Sequence, residues 1–254
     1  MKVIKRNKDL KYNIDIAQEK IKITLLWIYE FKFTNTKVVE ILLAIDGRHA
    51  RTFIKNLVEK DFLFLFKNKN LDGKNYFYGL TQFGIEYLQY NGLLDDTAKR
   101  KNISSLQKSM SIVHDLVVQK YIALNISNYK EVFSESSLYH FLKKEQILAD
   151  AIVVLEDGMR IAIEYERWAK TKDRIYFNFY RHYENIFIHD HYDGCIYLFE
   201  NDIIKNTYQK LFDQDHWVRY KLNKTTSKLY MLTETFDTKK DQNIKDAFIL
   251  KTFS

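Results

Sequence analysis

The sequence predicts an α/β protein in two parts: a helix-rich module with one hairpin, then a layered domain built on a central mixed sheet. Three observations carry this expectation. Apolar residues at helical spacing dominate the chain up to residue 95 but give way once to two strand-like runs around a turn signal. Beyond residue 110, amphipathic helices and apolar strands follow one another, the pattern of a layered α/β core. Basic charge is concentrated at the front: residues 1–100 hold 18 Lys or Arg against 12 Asp or Glu, whereas residues 101–254 hold 22 against 21. A basic first part favours a polyanion as its partner.

The first part reads as follows. "IAQEKIKITLLWIYEF" places Ile21, Leu25, Ile28 and Phe31 on one helical face, and "TNTKVVEILLAI" is a short capped helix. In the third helix, within "DGRHARTFIKNLVEK", Ala50, Ile54, Leu57 and Val58 form an apolar stripe that Phe53 widens. Arg48, His49, Arg51, Thr52 and Lys55 fall on its outer side and near its start. The runs "FLFLFKNK" and "KNYFYGLT" flank "NLDGK", where Asp72-Gly73 signals a hairpin, and "TQFGIEYLQYNG" closes the unit as a helix. Three helices, a hairpin and a helix is the order of a winged helix-turn-helix, so residues 1–95 are expected to form a winged helix DNA-binding domain. In such a module the third helix enters the major groove and the wing follows the phosphates. Arg48, His49, Arg51, Thr52 and Lys55 are the groove set; Lys67, Lys69, Lys74 and Asn75 belong to the wing. A winged helix that binds protein would show similar solvated faces, and the basic balance favours DNA.

Residues 96–110 read as a linker and residues 111–254 as the second domain. Its elements are a helix ("SIVHDLVVQKYIALNI"), a strand ("YKEVFSES"), two strands within "LADAIVVLEDGMRIAIEYERWAK", and a helix ("KTKDRIYFNFYRHYENIF"). A strand ("GCIYLFEN"), a helix ("DIIKNTYQKLFDQ") and a last strand ("KLYMLTETF") follow. Trp168, Trp217 and most of the Phe and Tyr are expected in the core, with a few near "FNFYRHY" able to stack on unpaired bases.

The two-strand stretch from Leu148 to Lys170 carries the chemistry. Strict alternation from Arg160 to Glu166 sets Glu164 and Glu166 on one face. Whether Asp150 joins them depends on the turn at Asp157-Gly158. A two-residue loop leaves Asp150 opposite Tyr165, on the wrong face. A three-residue loop, Glu156-Asp157-Gly158 with Gly158 left-handed, pairs Leu155 with Met159 and brings Asp150 opposite Glu164. Acids in apolar strands are costly unless a cation sits among them. Three carboxylates suit Mg²⁺ or Mn²⁺, hard ions that bind phosphate oxygens beside one or two protein acids and can supply a hydroxide nucleophile. Lys170 and Lys172 are the candidates to orient water or balance transition-state charge, and Arg174 and Arg181 could hold backbone phosphates. Against this stands the alternative of acids at a solvated strand end paired with Arg160 and Arg167.

With the elements around it, this stretch resembles the PD-(D/E)XK nuclease core, in which an Asp on one strand and an acid-x-Lys on the next hold the metal. Here Glu166 stands where that pattern has Lys, which moves the lysine to Lys170 or Lys172. A winged helix before such a core, with "HDL" at His114 to Leu116, resembles the MOBC class of plasmid relaxases in the replication-relaxation family. The resemblance implies a metal-dependent DNA endonuclease, a nickase or relaxase, that recognises a plasmid origin of transfer and nicks one strand to start conjugative mobilization. It implies Asp150, Glu164 and Glu166 as metal ligands or catalytic acids, Lys170 as the lysine, His114 and Asp115 as auxiliary residues, and Mg²⁺ or Mn²⁺ as cofactor. Its partners would be double-stranded and locally unpaired plasmid DNA at the origin of transfer, accessory relaxosome proteins and a coupling protein.

Competing chemistries are weaker. A relaxase with a His-hydrophobe-His metal site would need an apolar residue where Asp190 separates His189 from His191, and that pair lies before a strand, not within one. Cys195 stands alone, which excludes an internal disulfide and a thiolate zinc site. No run of 18 apolar residues suggests a membrane span, and the start lacks a secretory pattern, so the expected location is the cytoplasm. The non-enzymatic alternative is a winged-helix DNA-binding regulator of plasmid replication or transcription.

Overall fold

The computed structural model describes residues 1–2, 13–71, 76–100, 102–104, 106–138, 149–223, 225–240 and 243–253. The chain is α/β and divides into two compact units, Met1–Ser137 and Leu138–Ser254.

The first unit opens with α1 (Asn13–Phe31), α2 (Thr36–Leu42) and α3 (Gly47–Glu59). Each break has a local cause. The Asn35 side chain accepts the Val38 N–H at 2.9 Å, and the Asp46 carboxylate accepts the N–H groups of Arg48 and His49, so both helices start on a cap. Strands β1 (Leu63–Lys67) and β2 (Tyr76–Leu80) pair antiparallel, and α4 (Gln82–Tyr90) follows with Thr81 as its cap. The Asp72-Gly73 signal, Lys74 and Asn75 lie outside the described residues. Leu25, Ile28, Ile54, Leu57, Leu63, Ile85 and Leu88 form one core, the face that the helical spacing predicts.

Helix α5 (Ser111–Leu124) and strand β3 (Tyr129–Ser134) fall within this first unit. Two buried polar contacts explain why. The Trp27 Nε1–H donates to Gln119 Oε1 at 3.0 Å, and the Ser134 N–H donates to the Glu30 carboxylate at 2.8 Å. The expected linker 96–110 is likewise tied down. Ile103 and Leu106 are buried with Phe33, Phe66 and Phe77, and the buried Asn68 amide donates to the carbonyls of Leu106 and Ser109, each at 2.7 Å. Its low periodicity hid a docked segment held by single apolar residues and side-chain-to-backbone bonds.

A short α6 (Glu135–Leu138) leads to the second unit, a mixed sheet in which β4 (Ala151–Leu155), β5 (Arg160–Glu166), β6 (Gly194–Phe199) and β9 (Phe248–Thr252) lie in that order. β4 is antiparallel to β5, and β5, β6 and β9 are parallel. The connections are α7 (Lys172–Tyr183), extended by a π-turn at Glu184–Ile188, and α8 (Asp202–Phe212). A hairpin of β7 (His216–Leu222) and β8 (Leu229–Asp237) and a short α9 (Asn243–Ala247) precede β9. The sequence missed β7 and β9 and took β8 for the final strand. β8 is largely exposed and, among the described residues, pairs only with β7, while β9 joins the sheet beside β6. Phe179 on α7 centres the core, its ring 5.3 Å from those of Phe212 and Trp217 and 5.6 Å from Tyr197. Truncating such a residue to Ala costs about 3–5 kcal/mol.

Candidate functional site

The turn between β4 and β5 decides the site, and it is the three-residue form. The Leu155 N–H donates to the Met159 carbonyl at 2.8 Å, Gly158 has φ +93°, and Val154 pairs with Arg160. The register continues through Ala151 with Ile163, and the Asp150 N–H donates to the Ile163 carbonyl at 3.0 Å, which brings Asp150 opposite Glu164. Its carboxylate also accepts the Tyr165 N–H at 2.8 Å, continuing the ladder with a side chain. Glu164 and Glu166 share one face and are 5% and 3% exposed. They stand at the carboxyl ends of parallel strands, where Glu164 pairs with Tyr197 and Glu166 with Phe199; open α/β sheets bind ligands at this edge.

Of the two lysines proposed for the site, the structure brings one to the acids. Lys170 Nζ lies 2.5 Å from Glu166 Oε1. Partial burial works against its charge, but Glu166, Glu164 and Asp150 together outweigh this and hold its pKa above the usual lysine value. An ammonium is therefore the cation that this arrangement already places among the acids. Lys172 instead lies over the Tyr176 ring, 5.7 Å from its centroid. Arg174 and Arg181 sit half-buried on α7, Arg181 Nε being 3.8 Å from Glu184.

Hard carboxylate oxygens suit Mg²⁺ or Mn²⁺ in type. Among the described residues, however, no group of three or more His, Cys, Asp or Glu is gathered closely enough to hold a metal ion. The fit is therefore that of a site contributing one or two carboxylates, with water and phosphate oxygens completing the shell, as Mg²⁺ commonly binds.

One neighbour was not singled out in the sequence. His182 on α7 is fully buried, with Nε2 3.7 Å from Glu164 Oε1 and Nδ1 2.7 Å from the Tyr192 hydroxyl. The Asn185 amide donates to that same hydroxyl at 2.9 Å. Tyr192 can then give its own proton to Nδ1, which leaves the imidazole N–H on Nε2, facing Glu164. Burial, then the charges of Lys170 and Arg181, push the His182 pKa down to about 3, so the contact with Glu164 is one of a neutral ring. No spacing in "FNFYRHY" marks His182; only the helix packed against the sheet brings it to Glu164. Burial also raises Tyr208, on which the Glu166 charge acts further, and Cys195, which is thereby kept from acting as a thiolate.

The remaining predicted residues lie elsewhere. His114 and Asp115 are on α5 of the first unit, Nδ1 to Oδ1 3.5 Å apart. Arg48, His49, Arg51, Thr52 and Lys55 are all exposed on α3, opposite the buried Ala50, Ile54 and Leu57. His49 Nδ1 bonds the Asp46 carboxylate, which with the cap bonds lowers the Asp46 pKa to about 2. Thr52 Oγ donates to the Arg48 carbonyl at 3.2 Å, and Lys55 lies 3.5 Å from Glu59. Lys67 and Lys69 are exposed, Lys67 over the Tyr76 ring at 4.9 Å; Lys74 lies outside the described residues. His189 and His191 precede β6 in a loop where Arg160 bonds Asp190 and Asp193 at 2.7 and 3.3 Å. The exposed Trp168 corrects the expectation that it lies in the core; Trp217 is fully buried as expected. Among the described residues no helix is long and apolar enough to cross a membrane. In comparisons with known proteins no family model matches the chain, and no curated protein or solved structure matches it.

Proposed function

We propose that this protein is a DNA relaxase, a metal-dependent endonuclease that binds a plasmid origin of transfer and nicks one strand to start conjugative mobilization. The observation that carries the proposal is the carboxylate cluster: Asp150 brought opposite Glu164 by a left-handed Gly158, Glu166 on the same face, and Lys170 among them. In this reading the second unit is a PD-(D/E)XK-like core. One or two of the acids Asp150, Glu164 and Glu166 would hold Mg²⁺ or Mn²⁺, with water and phosphate oxygens completing the shell, and the ion when bound would polarise the scissile phosphate and activate water. Lys170 supplies positive charge beside the phosphate, Arg174 and Arg181 hold the backbone, and the neutral ring of His182 packs beside Glu164. The first unit is read as a winged helix-turn-helix. Its element order and the exposed cationic face of α3 support that reading, with Arg48, His49, Arg51, Thr52 and Lys55 directed to the major groove and Lys67 and Lys69 to phosphates. Accessory relaxosome proteins and a coupling protein would be its partners, and it would act in the cytoplasm.

Supercoiled plasmid carrying the cognate origin, incubated with the protein and Mg²⁺ or Mn²⁺, tests this. The expected result is nicking that Glu164→Ala reduces by about 10³-fold or more, as loss of one preorganised electrostatic group commonly costs 10²–10³-fold and a metal ligand more. Binding without nicking in either metal would sink the proposal. One observation favours a second reading: the Lys170 ammonium already neutralises Glu166 and faces the other two acids. A non-catalytic DNA-binding regulator of plasmid replication or transcription needs no more than that. It predicts that Lys170→Met destabilises the second unit and leaves DNA binding intact.

A further inference from the structure

Trp168 is 71% exposed, whereas Trp27 and Trp217 are fully buried. An indole left in water forgoes the burial a core would give it, so its position calls for another explanation. It follows Glu166 by two residues at the carboxyl end of β5 and precedes Lys170, the partner of Glu166, by two. The Arg167 guanidinium lies 5.3 Å from its ring centroid, within cation–π range. From Arg167 to Arg174 the chain carries Arg167, Lys170, Lys172 and Arg174 against one acid, Asp173. Aromatic side chains set among cations are the means by which proteins hold a single strand: phosphates meet the charges and a base stacks on the ring.

We propose that Trp168 is a stacking platform for an unpaired nucleobase of the DNA strand held at the carboxylate cluster, with Arg167 and Lys172 beside its phosphates. Its place in a cutting reaction rests on the nuclease reading above. The stacking itself does not, because it is measured without cutting.

The test uses the full chain in EDTA, with a short single-stranded oligonucleotide and a duplex of the same sequence. Single-strand binding should quench the acrylamide-accessible part of the tryptophan emission, which comes from Trp168 because the other two indoles are buried. Trp168→Ala should lower single-strand affinity by about 5–100-fold, Trp168→Phe should restore most of it, and duplex affinity should not change. Equal single-strand affinity of wild type and Trp168→Ala overturns the proposal. So does quenching that persists in Trp168→Phe, or an equal loss for duplex and single strand. Nicking is scored separately in Mg²⁺ or Mn²⁺. Stacking without nicking removes the nuclease reading and keeps the platform; nicking with unaltered Trp168→Ala binding does the reverse.

Discussion

The α3 face of the first unit and the carboxylate cluster of the second are built in opposite ways. On α3 one helix suffices: a 3.6-residue period puts Ala50, Ile54 and Leu57 inside and Arg48, His49, Arg51, Thr52 and Lys55 in water. Its charges are solvated, so each is nearly independent of the others. The cluster needs two strands, a turn and the loop after β5; Glu164 and Glu166 are buried beside a neutral histidine, with Asp150 half-buried and Lys170 reaching Glu166 from a more exposed position. There each group sets the state of the next. Recognition by an exposed face tolerates loss of one member, while a buried charged site does not.

Acid sharpens this contrast most. In metal-free buffer His182 titrates near pH 3 in the folded chain and near its ordinary 6.5 when unfolded. A depressed folded pKa means that the unfolded chain binds the extra proton as the pH drops. Stability of the second unit is therefore intact above about pH 6.5 and falls progressively between 6.5 and 3, by up to about 5 kcal/mol. Denaturant midpoints measured across that window, and an imidazole NMR signal that stays neutral at pH 5, check it. His182→Gln should flatten the dependence. The exposed Asp46, lowered to about 2, acts at a different place: its contribution is present above about pH 4 and lost as pH falls through 2.

Salt and truncation probe the other side. Arg51→Ala should weaken duplex binding by about 1–3 kcal/mol if it reads a base, with stability unchanged because the side chain is exposed. Titrations at several salt concentrations should give a linear dependence of log affinity on log salt. Unchanged affinity at every salt concentration would remove α3 as the reader.

Legibility in the sequence follows the same division. The helix faces could be read because a period within one element fixes them. Glu164 and Glu166 could be paired by alternation, and Asp150 could be added only on condition of the turn. What could not be read depends on partners distant in sequence. His182 gains its meaning from Tyr192 and Glu164. β9 is a short run recognisable only by its pairing with β6, and α5 joins the first unit through Gln119 and Trp27. Trp168 escaped because composition treats tryptophan as core, whereas its exposure follows from leaving the strand beside Glu166.

The smallest effect concerns the turn on which the cluster depends. A Cβ at Gly158 would meet nothing within 4 Å, so any cost of substitution comes from φ +93° alone. Gly158→Ala should therefore lower stability by about 1–2 kcal/mol without a steric clash, and Gly158→Asn by less, since Asn tolerates positive φ better. Denaturant unfolding with an unchanged slope measures both. If the loop held its three-residue form only because Gly158 permits it, the alanine variant could relax to a two-residue turn. A slip of one residue would carry Asp150 to the opposite face of the sheet. Nicking then separates the two outcomes. A variant that is less stable yet still nicks retains the register, whereas one that folds and has lost nicking as completely as Glu164→Ala has moved Asp150 away from Glu164.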